Sequence, residues 1–151
     1  MNRRNNKILI DIICALLVLV FVYSGINKLW DHNNFETQIK FIVPYPILSN
    51  ILSYTAPVGE LIIALLITIN QTKRKGIYAF ITLMTAFTFY IIFMLRSGKN
   101  LPCTCGGFIN TLSWKQHLAF NIGLILLAVA GLYLDKKNNS QFVAKESNLN
   151  N

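Results

Sequence analysis

Charged residues are scarce in this chain, and acidic residues are the scarcest. Only 13% of the 151 residues are charged, with 6 acidic against 14 basic side chains, whereas 54% are hydrophobic. The sequence also lacks an internal repeat, a phosphate-binding glycine motif and a nucleophile elbow. The scarcity of charged residues argues against a sizeable soluble domain. The missing motifs give no support to repeat proteins, P-loop enzymes or α/β-hydrolases.

Long apolar runs make up most of the sequence, and the mean hydropathy is +0.47. Four of the runs approach the ~20 residues with which a helix crosses ~30 Å of hydrocarbon. We expect membrane spans at about 8–30, 47–69, 76–95 and 114–134. A soluble bundle would show a polar stripe every three to four residues, and the runs 15–22 and 122–130 show none. The sequence therefore predicts an all-α, integral membrane four-helix bundle over 1–137, followed by a disordered polar tail at 138–151.

Basic residues are unevenly distributed among the connecting segments. They cluster before the first span, between the second and third, and after the fourth, at Arg3, Arg4, Lys7, Lys73, Arg74, Lys75, Lys136, Lys137 and Lys145. The positive-inside rule places these segments, and with them both termini, in the cytoplasm, although Lys40, Arg96, Lys99 and Lys115 lie on the opposite side. No A-x-A-like cleavage site follows the first span, so we expect an uncleaved anchor. The net charge of +8 then reflects topology and contact with anionic lipid, and we expect no nucleic-acid partner.

Two of the three cysteines lie one residue apart, in the loop before the fourth span. Cys103 and Cys105 belong to the run L-P-C-T-C-G-G-F at 101–108, on the predicted extracytoplasmic face, where disulfides form and persist. A disulfide between such near neighbours closes a small strained ring and is easily exchanged. The alternatives are a static cross-link and a Cu(I) site, because soft Cu(I) accepts few sulfur ligands whereas a structural zinc needs four. Cys14, inside the first span, is expected to be an apolar filler.

Three polar side chains are candidate partners of these thiols. Glu60 lies within the second span, where a carboxylate costs ~2.5–3.5 kcal/mol on insertion scales and needs a partner. Lys28, near the outer end of the first span, is the expected partner if Pro57 brings Glu60 to the same level, and the pair separates if the helix begins at Ile47. Glu60 would then be a proton acceptor, a contact for a quinone headgroup or half of a structural ion pair. His117 would either tune a thiol pKa or anchor the fourth helix at the interface.

The first outer loop carries its own helical pattern. Phe35, Ile39 and Ile42 recur at helical spacing before Pro44. This spacing is typical of a short amphipathic helix at 35–43 that lies on the membrane surface or folds over the bundle, and a plain connector is the alternative.

Short motifs in a fixed order resemble the MauE/DoxX group of redox-associated membrane proteins, whose MauE branch is named for methylamine utilisation. They are S-G-I-N-K-L at 24–29, P-V-G-E-L at 57–61 and the cysteine pair with its glycines, within about 8–134. The resemblance implies a four-helix protein of the bacterial cytoplasmic membrane that assists maturation of a disulfide-containing extracytoplasmic protein alongside a thioredoxin-like partner. It implies motif roles for Lys28, Glu60, Cys103, Cys105 and Gly106.

The sequence therefore predicts a component of a thiol–disulfide oxidoreductase system, with Cys103, Cys105, Glu60, Lys28 and His117 as the reactive set. One thiolate would attack a partner's disulfide, and the second cysteine would resolve the mixed disulfide. Membrane quinone is the electron acceptor that such chemistry would draw on, although no quinone motif is visible, and we expect no bound metal in this reading. The alternative is a non-enzymatic membrane assembly factor whose cysteine loop is a structural disulfide or a Cu(I) site.

Overall fold

The chain folds into helices throughout the part that the structure, a computed structural model, describes: residues 3–43, 45–96 and 114–149. The helices are α1 (Arg3–Trp30), α2 (His32–Ile42), α3 (Pro46–Thr68), α4 (Lys73–Arg96) and α5 (Trp114–Leu149). Four of them contain stretches long and apolar enough to cross a membrane, at Asn5–Trp30, Pro46–Thr68, Lys73–Phe93 and Lys115–Lys136. The predicted all-α architecture with four spans is confirmed.

The four long helices form a closed ring. α1 packs against α3 and α5, and α4 packs against the same two helices on the other side. The ring surrounds a core in which Leu17, Phe21, Ile67 and Phe80 are almost completely buried, and the Phe21 and Phe80 rings stack with their centroids 4.2 Å apart. Large apolar side chains also cover the outer surface, as expected of helices whose outer faces contact lipid.

Close approach of α1 to α3 depends on a glycine. A Cβ at Gly25 would lie 3.1 Å from the carbonyl oxygen of Pro57 and 3.1 Å from the Leu61 side chain. Small residues at such crossings let two membrane helices touch along their backbones. Gly25 therefore fixes how α1 and α3 lie against each other one turn before Lys28.

Two ion pairs join helices at the end of the bundle where α3 leads into α4. Lys73 donates to Asp11 of α1 at 3.1 Å, and Arg74 donates to Asp135 of α5 at 2.8 Å. Both pairs are partly exposed, so each contributes little to stability. The two pairs connect the start of α4 to α1 and to α5.

The amphipathic helix expected in the first outer loop is present as α2. It begins at His32, three residues before the predicted start, and ends at Ile42 before Pro44. Phe35 is buried, and α2 packs against α3, so the helix folds over the bundle. On its outer side Lys40 hydrogen-bonds Glu36 one turn earlier, which lowers the pKa of that exposed carboxyl below its usual range.

The backbone of α5 remains helical well beyond the membrane-spanning stretch. The composition of 138–151 predicts a disordered tail, whereas the helix continues to Leu149. No glycine or proline follows Gly131, so the sequence contains no residue that ends a helix there. The cysteine segment lies between α4 and α5, and Cys103, Cys105 and Gly106 fall outside the described residues.

Candidate functional site

A buried ion pair joins α1 to α3. The Lys28 ammonium donates a hydrogen bond to Oε1 of Glu60, and the two residues are only 5% and 1% exposed. Removing both charges from water is costly, and their mutual attraction offsets that cost only while both partners are present. The pairing expected between Lys28 and Glu60 is therefore present, and each residue explains why the other is tolerated inside the bundle.

The pair forms although α3 does not begin at Pro57. α3 begins at Pro46 and continues through Pro57, so Glu60 lies ~21 Å along the helix from its start. We inferred that so early a start would separate Glu60 from Lys28, and that inference was wrong. That inference assumed that the last residue of α1 and the first residue of α3 lie at the same level.

The first turns of α3 instead extend past the end of α1. His32, two residues after Trp30, stacks on the ring of Tyr54 with the centroids 4.0 Å apart, and Gly25 lies against Pro57. α2 covers the part of α3 that projects beyond α1. The level of Glu60 thus matches the last turn of α1.

Two aromatic rings complete the surroundings of the Lys28 ammonium. Its Nζ lies 4.7 Å from the ring centroid of Phe87 on α4 and 5.4 Å from that of Phe35 on α2. A cation above an aromatic face is stabilised by the ring quadrupole, more so where water is excluded. Lys28 therefore holds four helices together: its own α1, α2, α3 and α4.

A cavity of about 280 Å³ adjoins this pair, and all five helices contribute to its wall. Most of the lining side chains are apolar. The polar ones are Ser24, Lys28, Gln38, Glu60, Tyr90, His117 and Asn121. A largely apolar cavity with a few convergent polar groups is the usual form of a small-molecule site.

α5 contributes two polar residues to the cavity wall from a single face. His117 and Asn121 are one helical turn apart and only 8% and 3% exposed. His117 is buried within the bundle and lines the cavity.

Three polar atoms on the cavity wall have no hydrogen-bond partner among the described residues. They are Oε2 of Glu60, Nδ1 of His117 and the side-chain amide nitrogen of Gln38, and each atom is buried. Leaving a buried polar atom unpaired costs ~1–3 kcal/mol, so native structures pair nearly all of them. Three such atoms around one cavity indicate that its natural contents form hydrogen bonds.

The structure brings together three of the five residues that we predicted to be reactive. Lys28, Glu60 and His117 line one cavity, and Cys103 and Cys105 fall outside the described residues. Phe87 could not be singled out from the sequence, because a phenylalanine within a span can face lipid or the interior with the same local pattern. Gln38 was also not among the predicted site residues, although it lies on the helix that the spacing of Phe35 and Ile39 indicated.

The comparisons with known proteins give one match. The family model of the methylamine utilisation protein MauE matches residues 6–134. Neither the curated proteins nor the solved structures gave a match. The matched range includes all the lining residues of the cavity and the four spans, apart from the first residue of the first span and the last two of the fourth. The chain therefore belongs to the MauE family of methylamine utilisation proteins and is a multi-pass membrane protein.

Proposed function

We propose that this membrane protein carries out thiol–disulfide exchange with an extracytoplasmic partner, and that Cys103 and Cys105 are the exchanging pair. The observation that carries the proposal is the convergence of Lys28, Glu60 and His117 on one cavity at the end of the bundle from which the cysteine segment departs. Charged and titratable groups are expensive inside a bilayer and mark functional sites there.

The ends of α4 and α5 support the proximity of the cysteine segment to the cavity. α4 ends at Arg96, and its Tyr90 lies on the cavity wall ~9 Å before that end by helical rise. α5 begins at Trp114, and its His117 lies ~4.5 Å into the helix. The two helix ends that flank the cysteine segment, Arg96 and Trp114, therefore lie within about two helical turns of residues on the cavity wall.

The proposed exchange transfers two electrons from a dithiol of the partner to the Cys103–Cys105 disulfide, so no further oxidant is needed. A partner thiolate attacks the Cys103–Cys105 disulfide, which breaks the S–S bond and forms a mixed disulfide. The partner's second thiolate then attacks the partner sulfur of the mixed disulfide. The partner thereby gains a disulfide, and Cys103 and Cys105 become thiols. The reverse sequence reduces a partner disulfide. In this proposal His117 exchanges the thiol proton, since the imidazole nitrogens can both accept and donate a proton.

The proposal includes an orientation. Both termini and the α3–α4 turn lie in the cytoplasm, and α2 and the cysteine segment face the extracytoplasmic side of a bacterial cytoplasmic membrane. The basic residues at 73–75 support this orientation under the positive-inside rule. The oxidising compartment would supply disulfide-containing clients and a thioredoxin-like partner, while the exposed apolar faces of the bundle contact lipid.

Mixed-disulfide trapping tests the proposal. Cys105→Ser and Cys103→Ser are each expressed in a Cys14→Ser background, and membranes are quenched with acid and run on non-reducing gels. We expect one single variant to accumulate a higher-mass adduct that collapses with reductant, because its resolving thiol is gone. The variant without any cysteine is the control. If neither single variant forms an adduct, the cysteine pair is a structural cross-link or a Cu(I) site, and the protein is an assembly factor.

A further inference from the structure

We infer that the cavity binds the headgroup of a membrane-soluble quinone in both its oxidised and its reduced form. The redox role of this site rests on the proposed function, because the thiol pair supplies the electrons. The binding itself is argued from the described residues of the cavity alone.

The size and lining of the cavity fit a substituted six-membered ring. Its volume is about 280 Å³, and an apolar cavity of ~150 Å³ accommodates benzene. The wall includes the aromatic side chains of Phe35, Phe87 and Phe120. Aromatic rings favour offset or edge-to-face contact with another flat ring.

The charges on the wall favour a neutral ligand. Lys28 and Glu60 neutralise each other as a hydrogen-bonded pair. An anionic ligand such as a phosphate would meet the Glu60 carboxylate, and a cation would compete with the Lys28 ammonium for the same oxygen. A neutral ring avoids both conflicts and still reaches the unpaired polar atoms.

The unpaired atoms provide both kinds of hydrogen bond that the two redox states require. A quinone has two carbonyl oxygens, which accept from the amide nitrogen of Gln38 and from the Lys28 ammonium. A hydroquinone has two hydroxyls, which donate to Oε2 of Glu60 and to an imidazole nitrogen such as Nδ1 of His117. A site with only acceptors would bind the hydroquinone and reject the quinone, because the quinone carbonyls cannot donate.

A lipid-soluble ligand can reach the cavity from the bilayer. Leu52 on α3 and Phe120 on α5 both line the cavity, and they are 37% and 40% exposed. The cavity wall therefore extends to the outer surface of the bundle, so the tail of a quinone can remain among lipid chains while its ring lies inside.

The redox step balances with no further reactant. Two thiols become one disulfide and release two electrons and two protons. The quinone takes up both electrons and both protons and becomes a hydroquinone. The disulfide that the exchange consumes is thereby regenerated.

Photolabelling of the full-length protein in lipid nanodiscs tests the site. The probe is a short-chain benzoquinone that carries an azide, and the competitor is the same quinone without the azide. Ala56→Phe fills the cavity one turn before Glu60 on the same face of α3 and leaves the ion pair in place. Ala130→Phe is the matched control, because Ala130 is exposed on α5 and does not line the cavity.

We expect labelling of peptides from α4 and α5 that saturates and is displaced by the competitor. Ala56→Phe should weaken binding at least roughly tenfold, since the ring would have to be expelled or the helices moved apart. Ala130→Phe and the variant without cysteines should bind like the unaltered protein. Labelling that does not saturate, or that survives Ala56→Phe unchanged, would overturn the inference. Failure of the proposed function has a different signature: the quinone binds, and no mixed disulfide forms.

Discussion

Glu60 is the residue on which the interior of this bundle depends most. Its carboxylate has one oxygen bonded to Lys28 and the other unpaired at the wall of the cavity. Phe35 and Phe87 hold the ammonium from the other side. A buried pair with such surroundings is costly to break, because the remaining partner stays charged in a medium without water.

Substitution of the ion pair provides a prediction at this scale. Lys28→Met alone should lower the free energy of unfolding by about 3–5 kcal/mol, because it leaves the buried carboxylate unpaired. Glu60→Gln alone should lower it by less, because the ammonium keeps a neutral acceptor. The double variant Lys28→Met/Glu60→Leu should recover much of the loss, since it removes both charges at similar volume. Thermal unfolding in detergent measures the differences. A double variant that is less stable than Lys28→Met alone would show that the two residues do not form a stabilising pair.

The reach of sequence reasoning differs among these residues. Lys28 and Glu60 could be paired from the sequence because a charge inside a span requires a partner. Their relative depth could not be deduced, since it depends on how far α3 projects past α1, and that is set by packing around Gly25 and Pro57. Phe87 could not be singled out at all, because nothing local distinguishes an inward from an outward phenylalanine in an apolar helix.

At the scale of elements, the α3–α4 connection contains the closest backbone approach found at any of the described glycines. A Cβ at Gly76 would lie 2.7 Å from the backbone nitrogen of Ile67 and 2.9 Å from the carbonyl carbon of Leu66. The Thr72 hydroxyl closes the turn by donating to the carbonyl oxygen of Leu66 at 2.9 Å. The start of α4 is thus held directly against the backbone of α3.

Two glycine-to-alanine changes distinguish this contact from ordinary helix propensity. Gly76→Ala should destabilise the bundle by about 1–3 kcal/mol, because backbone atoms must move to admit the methyl group. Gly123→Ala, in the middle of α5 with nothing within 4 Å of its Cβ position, should be neutral or stabilising by up to about 1 kcal/mol. Thermal unfolding of the two variants in the same detergent makes the comparison. Equal effects of the two changes would contradict the tight turn.

Element boundaries show which patterns carry information. The apolar spacing of Phe35 and Ile39 was enough to predict α2, and the helix starts earlier because Asn33 and Asn34 continue it without a breaker. The polar composition after Asn138 pointed to disorder, whereas the backbone of α5 continues to Leu149. Polar composition reports the absence of a core, and it does not by itself locate the end of a helix.

At the scale of the whole molecule, the proposed orientation predicts which cysteine positions are accessible from outside. In a background without native cysteines, Lys40→Cys on α2 should react with a membrane-impermeant maleimide in intact cells, and Lys75→Cys in the first turn of α4 should react only after permeabilisation. Both side chains are exposed, so access to the reagent depends on the side of the membrane. The reverse labelling pattern would invert the topology and place the cysteine segment in the cytoplasm.

The redox state of Cys103 and Cys105 in living cells tests the central claim most directly. Differential alkylation in a Cys14→Ser background counts thiols before and after brief exposure to oxidant or reductant. The account predicts a pair that moves between thiol and disulfide and returns to its starting state when the reagent is removed, because exchange with a partner keeps it turning over. A pair that stays oxidised throughout, or one that stays reduced throughout, would contradict thiol–disulfide exchange as the function of this protein.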